Sequence, residues 1–322
     1  MIPRVSVVVP AYQSASTIGA AVSSVLTQTY DDLEVVVVDD GSTDETAAIA
    51  SAHPGRVRVV SQQNAGVAAA RNRGIAEARG ELIAFCDSDD YLFPTHLHAL
   101  VDTFDRAGTE IATANAFWLY PGGISPSRLR LRGRFPHPGE QRRAILEHNF
   151  VSTMSLFPRA LVDRIGPFDE RKRRAEDWEF WLRAIFSGAR VALQPRPLAL
   201  YRWGSTSLSA DWEAMDAEVE AVFDDLEKRV ELTADELAYV QTRRSGPGPR
   251  RLAREAERAL AAGRFRQAAR LSGQAAALCP SERPLVWKAR IMRFAPWLTG
   301  PLLRSRKLRR EHRLGIDVHH TR

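Results

Sequence analysis

Residues 83–90 read Ile83-Ala84-Phe85-Cys86-Asp87-Ser88-Asp89-Asp90, an apolar run that stops in three carboxylates within four residues. A short apolar run bounded by polar residues predicts a buried strand, which puts the acidic cluster at its carboxyl end. In open α/β sheets ligands bind at that edge. Carboxylates this close repel one another unless a positive charge sits between them, and hard oxygen ligands suit Mg2+ or Mn2+. A solvated acidic turn accounts for the same residues, so the flanking sequence has to decide.

Upstream, Val5-Ser6-Val7-Val8-Val9 is a β-branched run ending at Pro10, residues 33–38 form a second run that stops at Asp39-Asp40-Gly41-Ser42, and residues 57–60 form a third before Asn64-Ala65-Gly66. Ile18, Ala21, Val22, Val25 and Leu26 recur at helical spacing, Ser42 and Glu45 form a capping-box pattern, and an alanine-rich stretch reaches residue 79. Strand and helix alternate, which predicts a Rossmann-like, doubly wound, mostly parallel sheet flanked by helices. Pro10-Ala11-Tyr12, Asp39-Asp40 and residues 87–90 then fall on one edge of it. An aromatic ring, paired carboxylates and a cation site together make the parts of a nucleoside diphosphate pocket.

Downstream, Pro94 suits the first turn of a helix to residue 107, residues 111–119 read as a strand, and residues 120–139 as a loop rich in Gly, Pro and Arg. A short strand at 155–157 follows, then a basic loop at 171–174 that delivers Glu176 and Asp177 to the start of an aromatic helix. Carboxylates there suit the helix dipole, so capping alone explains Asp177 at this point. Residues 212–230 form an amphipathic helix, and Thr233 with Glu236 offers another capping box.

Composition divides the chain. Of 322 residues, those from 243 onward carry 18 Arg and 2 Lys against 4 Glu and 1 Asp, so this segment holds +15 within a total of +6 and the remainder holds −9. Residues 243–249 read as a linker, and 250–322 as a basic helical tail whose first part resembles a single tetratricopeptide-like hairpin. Trp287, Phe294 and Trp297 beside Arg290, Arg293, Arg304 and Arg306 suit an anionic membrane surface; a plain solvated tail is the alternative, and nucleic-acid binding ranks behind both. Two cysteines, Cys86 and Cys279, offer no disulfide or metal framework. With no apolar run near ~18 residues and no room for a leader before Val5, the expected location is cytoplasmic, with a peripheral position on the inner face of the cell membrane left open.

VSVVVPAYQSASTIGAAVSSVLTQTYDDLEVVVVDDGSTDET, NAGVAAARNRG, ELIAFCDSDDYLFP, GPFDE and AEDWEFWLR, in that order, resemble the family 2 inverting glycosyltransferases of GT-A fold over about residues 4 to 210. The resemblance implies a GT-A domain over 1–242, with a nucleotide-binding half at 1–110 and an acceptor-binding half at 111–242. It implies transfer of a sugar from a nucleotide sugar, usually a UDP-sugar, to a hydroxyl of a glycan or lipid-linked acceptor, with a divalent cation, Mn2+ or Mg2+. Tyr12, beside Pro10 and Ala11, would stack on the base, and Asp40, with Asp39 as its alternative, would accept its N–H. Asn64, Gly66, Arg71 and Asn72 would flank the nucleotide and sugar. Asp87 would reach the ribose or a metal-bound water, Asp89 would ligate the metal, and Ser88 and Asp90 would complete the donor contacts. Asp177 matches the catalytic base, with Glu176 beside it. Many members carry a histidine after a Tyr-Arg pair, whereas Tyr201-Arg202-Trp203-Gly204-Ser205 has none, so the implied metal shell rests on Asp89, the diphosphate and water. A non-catalytic sugar-nucleotide-binding or scaffolding protein of the same fold is the competing expectation.

Overall fold

The computed structural model describes residues 2–53, 57–131, 133–204, 212–280 and 283–294. A nine-stranded sheet organises the chain, in the order β3-β2-β1-β4-β8-β6-β9-β5, with β7 paired outside this path to β6. Its parallel part is β1 (Val5–Ala11), β2 (Leu33–Asp39), β3 (Val57–Ser61) and β4 (Leu82–Phe85). Val5 pairs with both Leu33 and Leu82, so β1, β2 and β4 start level; β1 and β2 end together at Ala11 and Asp39, while β4 stops opposite Val8 and turns into residues 87–90.

Period-two alternation sorts these strands between two cores. Val5, Val7, Val9, Leu82 and Ala84 pack on one face with helices α1 (Ile18–Leu26) and α4 (His96–Ala107). Val8, Ile83 and Phe85 pack on the other, against α3 (Val67–Glu77), α5 (Gln141–Glu147) and α7 (Glu176–Phe186). Between α1 and α3 lies the short α2 (Thr46–Ser51). Between α5 and α7 come β8 (Leu156–Pro158) and α6 (Arg159–Ile165).

Three expectations are corrected. The loop expected at 120–139 contains a strand, β7 (Gly123–Leu129), which folds back on β6 (Ile111–Tyr120). Residues 191–202, with no strand expected, form the longest one, β9 (Val191–Arg202), parallel to β6 and antiparallel to β5 (Tyr91–Leu92). Pro195 and Pro197 hide it, and the register shifts beside Pro197 where a proline cannot donate to the ladder. The Ser42–Glu45 capping box does not form: Glu45 is the N-cap of α2 without a side-chain bond, while Ser42 Oγ accepts from Gln13 N at 3.0 Å.

The expected box at Thr233 and Glu236 does form, at the start of α9 (Ala234–Arg244), which follows α8 (Trp212–Arg229). Beyond it α10 (Pro249–Ala261), α11 (Phe265–Leu278) and α12 (Arg283–Phe294) enclose a small core of their own around Leu252, Leu260, Leu271 and Met292. This appendage touches the sheet domain where Tyr239 Oη donates to Leu278 O at 2.9 Å and Cys279 Sγ to Glu147 O at 3.4 Å. No helix among the described residues is long and apolar enough to cross a membrane. Of the aromatic and basic residues expected to meet a membrane, Trp297, Arg304 and Arg306 lie outside the described residues.

Candidate active site

The loops after β1 and β2 lock together. Gln13, at φ +49°, sends its Oε1 to Thr43 N and Asp44 N at 3.3 and 3.2 Å. This leaves Tyr12 51% exposed at the end of β1, the position a stacking ring needs. Behind it, Ser14 Oγ donates to Tyr12 O at 3.0 Å and shares a 2.7 Å bond with Ser88 Oγ, tying the β1 loop to the acidic motif. Pro10 and Ala11 are buried residues at the end of β1.

Asp39 and Asp40 are both buried, with different duties. Asp40 Oδ1 accepts from Gln62 Nε2 at 2.8 Å and Ala65 N at 2.9 Å, and Oδ2 from Gly66 N at 2.8 Å, so its carboxylate shapes the 62–66 loop. Among the described residues Asp39 accepts Ser42 N, at 3.2 Å through Oδ1, and no other hydrogen bond is seen on its carboxylate. Gly66 takes φ +97°, a conformation that strains any residue with a Cβ, while the atom such a Cβ would meet, Arg173 Nη1 at 2.9 Å, is the movable end of an exposed side chain. Asn64 is exposed on this loop.

Arg71 is 3% exposed rather than lying on a helix surface, and it bridges the two sides of the site. Its Nη2 donates to Asp87 Oδ1 at 2.9 Å and its Nη1 to Glu176 Oε1 at 2.6 Å, while the guanidinium lies 5.5 and 5.7 Å from the Phe85 and Phe168 ring centres. Burial opposes its charge, but Asp87, Glu176 and Asp177 outweigh this and raise its pKa. Asn72 does not face the pocket either: Nδ2 donates to Phe168 O and Glu170 Oε1, and Oδ1 accepts Phe168 N.

Because Glu176 is anchored, Asp177 is delivered beside the acidic cluster at the first turn of α7. Asn149 Nδ2 donates to its Oδ2 at 2.9 Å, and Trp178 N to its Oδ1 at 2.8 Å. Ala175, just before the helix, adopts φ +57°, a costly conformation for a residue with a Cβ. Strain of this kind persists where the surrounding structure enforces it. Burial pushes the Glu176 carboxyl up, Arg71 pulls it down, and the net shift is upward.

The cluster at 87–90 is under-neutralised. Burial, then Asp87, push Asp89 up to about 6. Burial, then Asp89 and Asp87, push Asp90 further up. Asp90 Oδ1 accepts Arg202 N at 2.8 Å, but its buried Oδ2 has no partner. Arg202 Nε donates to Asp89 O at 2.8 Å, so the end of β9 fixes this turn. Crowded carboxylates with an orphaned oxygen fit a divalent cation by donor chemistry. Among the described residues no group of three or more His, Cys, Asp or Glu is gathered to hold a metal by itself.

Sequence reasoning missed Asn149, Arg173 and Arg202 as site residues. Arg202 was visible in the Tyr-Arg pair and Arg173 in the basic loop, whereas nothing marked Asn149. Arg173, exposed, reaches over Gly66 and makes a long 3.5 Å contact with Ala65 O.

Residues 6–166 match the sequence profile described as Glycosyl transferase family 2. The chain belongs to that family. As a glycosyltransferase it is a transferase, which sets aside the non-catalytic alternative. The profile match ends before Asp177, so α7 is supported by longer relatives. The succinoglycan biosynthesis protein ExoO of Rhizobium meliloti is 36% identical over 233 residues, 68% of this chain and 67% of that protein. An uncharacterized glycosyltransferase EpsJ of Bacillus subtilis is 32% identical over 65% of this chain and 64% of its own length. Among solved structures, S. aureus TarS 1-349 in complex with UDP-GlcNAc aligns with TM-score 0.60 at 20% identity, covering 94% of this chain and 92% of that one. The mannosyltransferase PcManGT from Pyrobaculum calidifontis in complex with GDP-Man and Mn2+ aligns with TM-score 0.59 at 21% identity, covering 93% and 83%. The structural likenesses bear out the GT-A fold with flanking helices and a C-terminal helical part, but the sheet is mixed rather than mostly parallel, because β8, β5 and β7 pair antiparallel with their neighbours.

Proposed function

We propose that this glycosyltransferase moves a sugar from a nucleoside diphosphate sugar to a hydroxyl of a glycan or lipid-linked acceptor in cell-surface polysaccharide synthesis, by a single inverting displacement. The observation that carries the reading is the Arg71 bridge, which holds Asp87 and Glu176 to one guanidinium and so sets Asp177 opposite the acidic cluster. Tyr12 stacks on the base, and Asp39, with a carboxylate oxygen not spent on its own loop, accepts the base N–H in preference to Asp40.

Asp89, with Asp87 beside it, would hold a Mn2+ or Mg2+ ion. When bound, the ion acts as a Lewis acid that stabilises charge growing on the departing diphosphate. Asp90 is the residue given to the hydroxyls of the donor sugar. Asp177, oriented by Asn149, removes the proton of the attacking hydroxyl as that oxygen approaches the anomeric carbon from the face opposite the leaving group. Inversion needs one displacement, so no nucleophilic carboxylate on the enzyme takes part. The two ligand-bound structural neighbours carry different bases, uracil and guanine, and the fold is common to both. A UDP donor follows the motif resemblance.

The test is release of nucleoside diphosphate from UDP- and GDP-sugars with Mn2+ and a glycan or lipid-linked acceptor. Asp177→Asn should cost about 10³-fold or more in kcat, the scale of a lost general base with its hydrogen bonds, and Asp89→Ala should remove the metal dependence. Unchanged turnover in both variants would sink the mechanism. The same reading places the enzyme against an anionic membrane surface through its basic tail: Trp287 is 65% exposed on α12, beside Lys288 and Arg290. Cosedimentation with phosphatidylserine vesicles should weaken with salt, and equal binding to neutral vesicles would refute it.

A further inference from the structure

The carboxyl end of α5 meets Asp177 on one side and the helical appendage on the other. On the first side, both oxygens of the Asp177 carboxylate are set by groups tied to residues 145–149. Asn149 Nδ2 donates to Oδ2 at 2.9 Å, and Asn149 Oδ1 closes its own turn by accepting Val151 N at 3.1 Å. Trp178 N donates to Oδ1 at 2.8 Å, and the indole Nε1 of the same residue donates to Ile145 O at 2.7 Å. A shift of this short segment therefore moves both partners of the carboxylate.

On the other side, Cys279, which ends α11, donates its thiol to Glu147 O at 3.4 Å, two residues before Asn149. Tyr239 of α9 makes a second tie. Its ring centre lies 4.0 Å from the guanidinium of Arg143 on α5, and its Oη donates to Leu278 O at 2.9 Å. Arg143 Nε in turn donates to Glu147 Oε1 at 3.0 Å, so both ties converge on Glu147. The seam around them is not packed solid. A cavity of about 100 Å3 separates His148 and Trp178 from Arg250, Ala253 and Leu285. Dense packing is what normally fixes two elements against each other, and here the two polar ties take a larger share of that work.

We infer that the appendage positions the general base: Cys279 and Tyr239 hold the last turn of α5 so that Asn149 and Trp178 present the Asp177 carboxylate to the acceptor hydroxyl. The inference rests on Asp177 acting as that base. Cys279 and Tyr239 are positioning residues, since neither touches the carboxylate itself, and a small misplacement of a catalytic group is enough to slow a reaction strongly. The C-terminal helices thereby take a part in turnover that is separate from any contact with a membrane.

The test uses the full chain with whichever UDP- or GDP-sugar it turns over in the presence of Mn2+. Tyr239→Phe keeps the ring beside Arg143 and removes only the hydroxyl tie, and Cys279→Ala removes the thiol. Together they should lower kcat about tenfold while KM for the nucleotide sugar stays within about twofold, because the donor edge is built from other loops. Without any substrate, hydrogen exchange should quicken at His148 and Trp178, whose amides donate to Ala144 O and Asp177 Oδ1. Each single variant should show part of both changes, which keeps the test decisive if the double variant folds poorly. Arg251→Ala, which breaks an exposed pair with Glu255 on α10, should change neither. Asp177→Asn separates the two levels. Normal turnover in that variant would remove the base and this inference with it. Loss of turnover there, with full kcat in Tyr239→Phe and Cys279→Ala, would overturn the inference alone, as would a rise in KM at constant kcat.

Discussion

The loop after β2 and the loop after β4 begin alike, as strands in one parallel sheet that end in neighbouring aspartates, and are completed in opposite ways. After β2 the protein answers its own charge: Asp40 receives a side-chain amide and two backbone N–H groups, and Asp39 receives one N–H. After β4 the one close cation on Asp87 among the described residues is Arg71, which it shares with Glu176, while Asp89 is pushed up to about 6 and one oxygen of Asp90 has no partner among those residues. Asp40, whose oxygens are met by its own loop, is scaffold. The cluster after β4, held in place by Arg202 and Arg71, is the one the proposed function gives to a cation.

The sharpest way to break this contrast is to remove Arg71. Arg71→Met leaves Glu176 buried and Asp87 half-buried without their shared partner, and should cost about 3 kcal/mol in denaturant unfolding. A cost below about 1 kcal/mol would mean that the bridge is incidental. Asp40→Ala should come next, at about 1.5–3 kcal/mol, because the hydrogen bonds from Gln62, Ala65 and Gly66 all end on a charged acceptor. Weakened donor binding should accompany it as the 62–66 loop loosens, and retention of full stability would move Asp40 out of the scaffold.

Asp89→Asn should have the smallest effect on stability and the opposite sign. A carboxyl whose folded pKa is raised to about 6, from an ordinary value of 3.8, binds more protons in the folded than in the unfolded state between those values. Its contribution therefore favours folding at low pH and is lost as pH rises through 6. In chelator, the wild type should lose about 1–2 kcal/mol from this group between pH 4 and pH 7, and Asp89→Asn should flatten that loss. An unaltered pH profile in the variant would show that Asp89 is not under electrostatic strain.

Much of the donor edge was legible because strand and site share one signal. The β-branched runs at 5–9, 33–38 and 57–60 locate β1 to β3, and the polar residues that end them are the ones the level register brings together. The second half was harder to read. β9 carries two prolines, and β7 carries Gly123 and Pro126, residues that usually mark loops. Duties within the site were hardest. Asp39 and Asp40 are adjacent and chemically identical, and only the fold of the 62–66 loop tells which is consumed. Arg71 sits in an alanine-rich helix with no local partner, since the carboxylate it anchors lies 105 residues away.

That separation sets the order in which the site can come into being. A ribosome releases the amino-terminal half first, and long-range contacts form late in folding. Until α7 emerges, the nascent chain has Asp87 but not Glu176 to answer Arg71, and β4 waits for β8 to pair with its open side. The arginine that fixes the finished site is thus an incomplete ion pair through much of synthesis, and the acidic cluster and Asp177 are brought into register by the same late docking event.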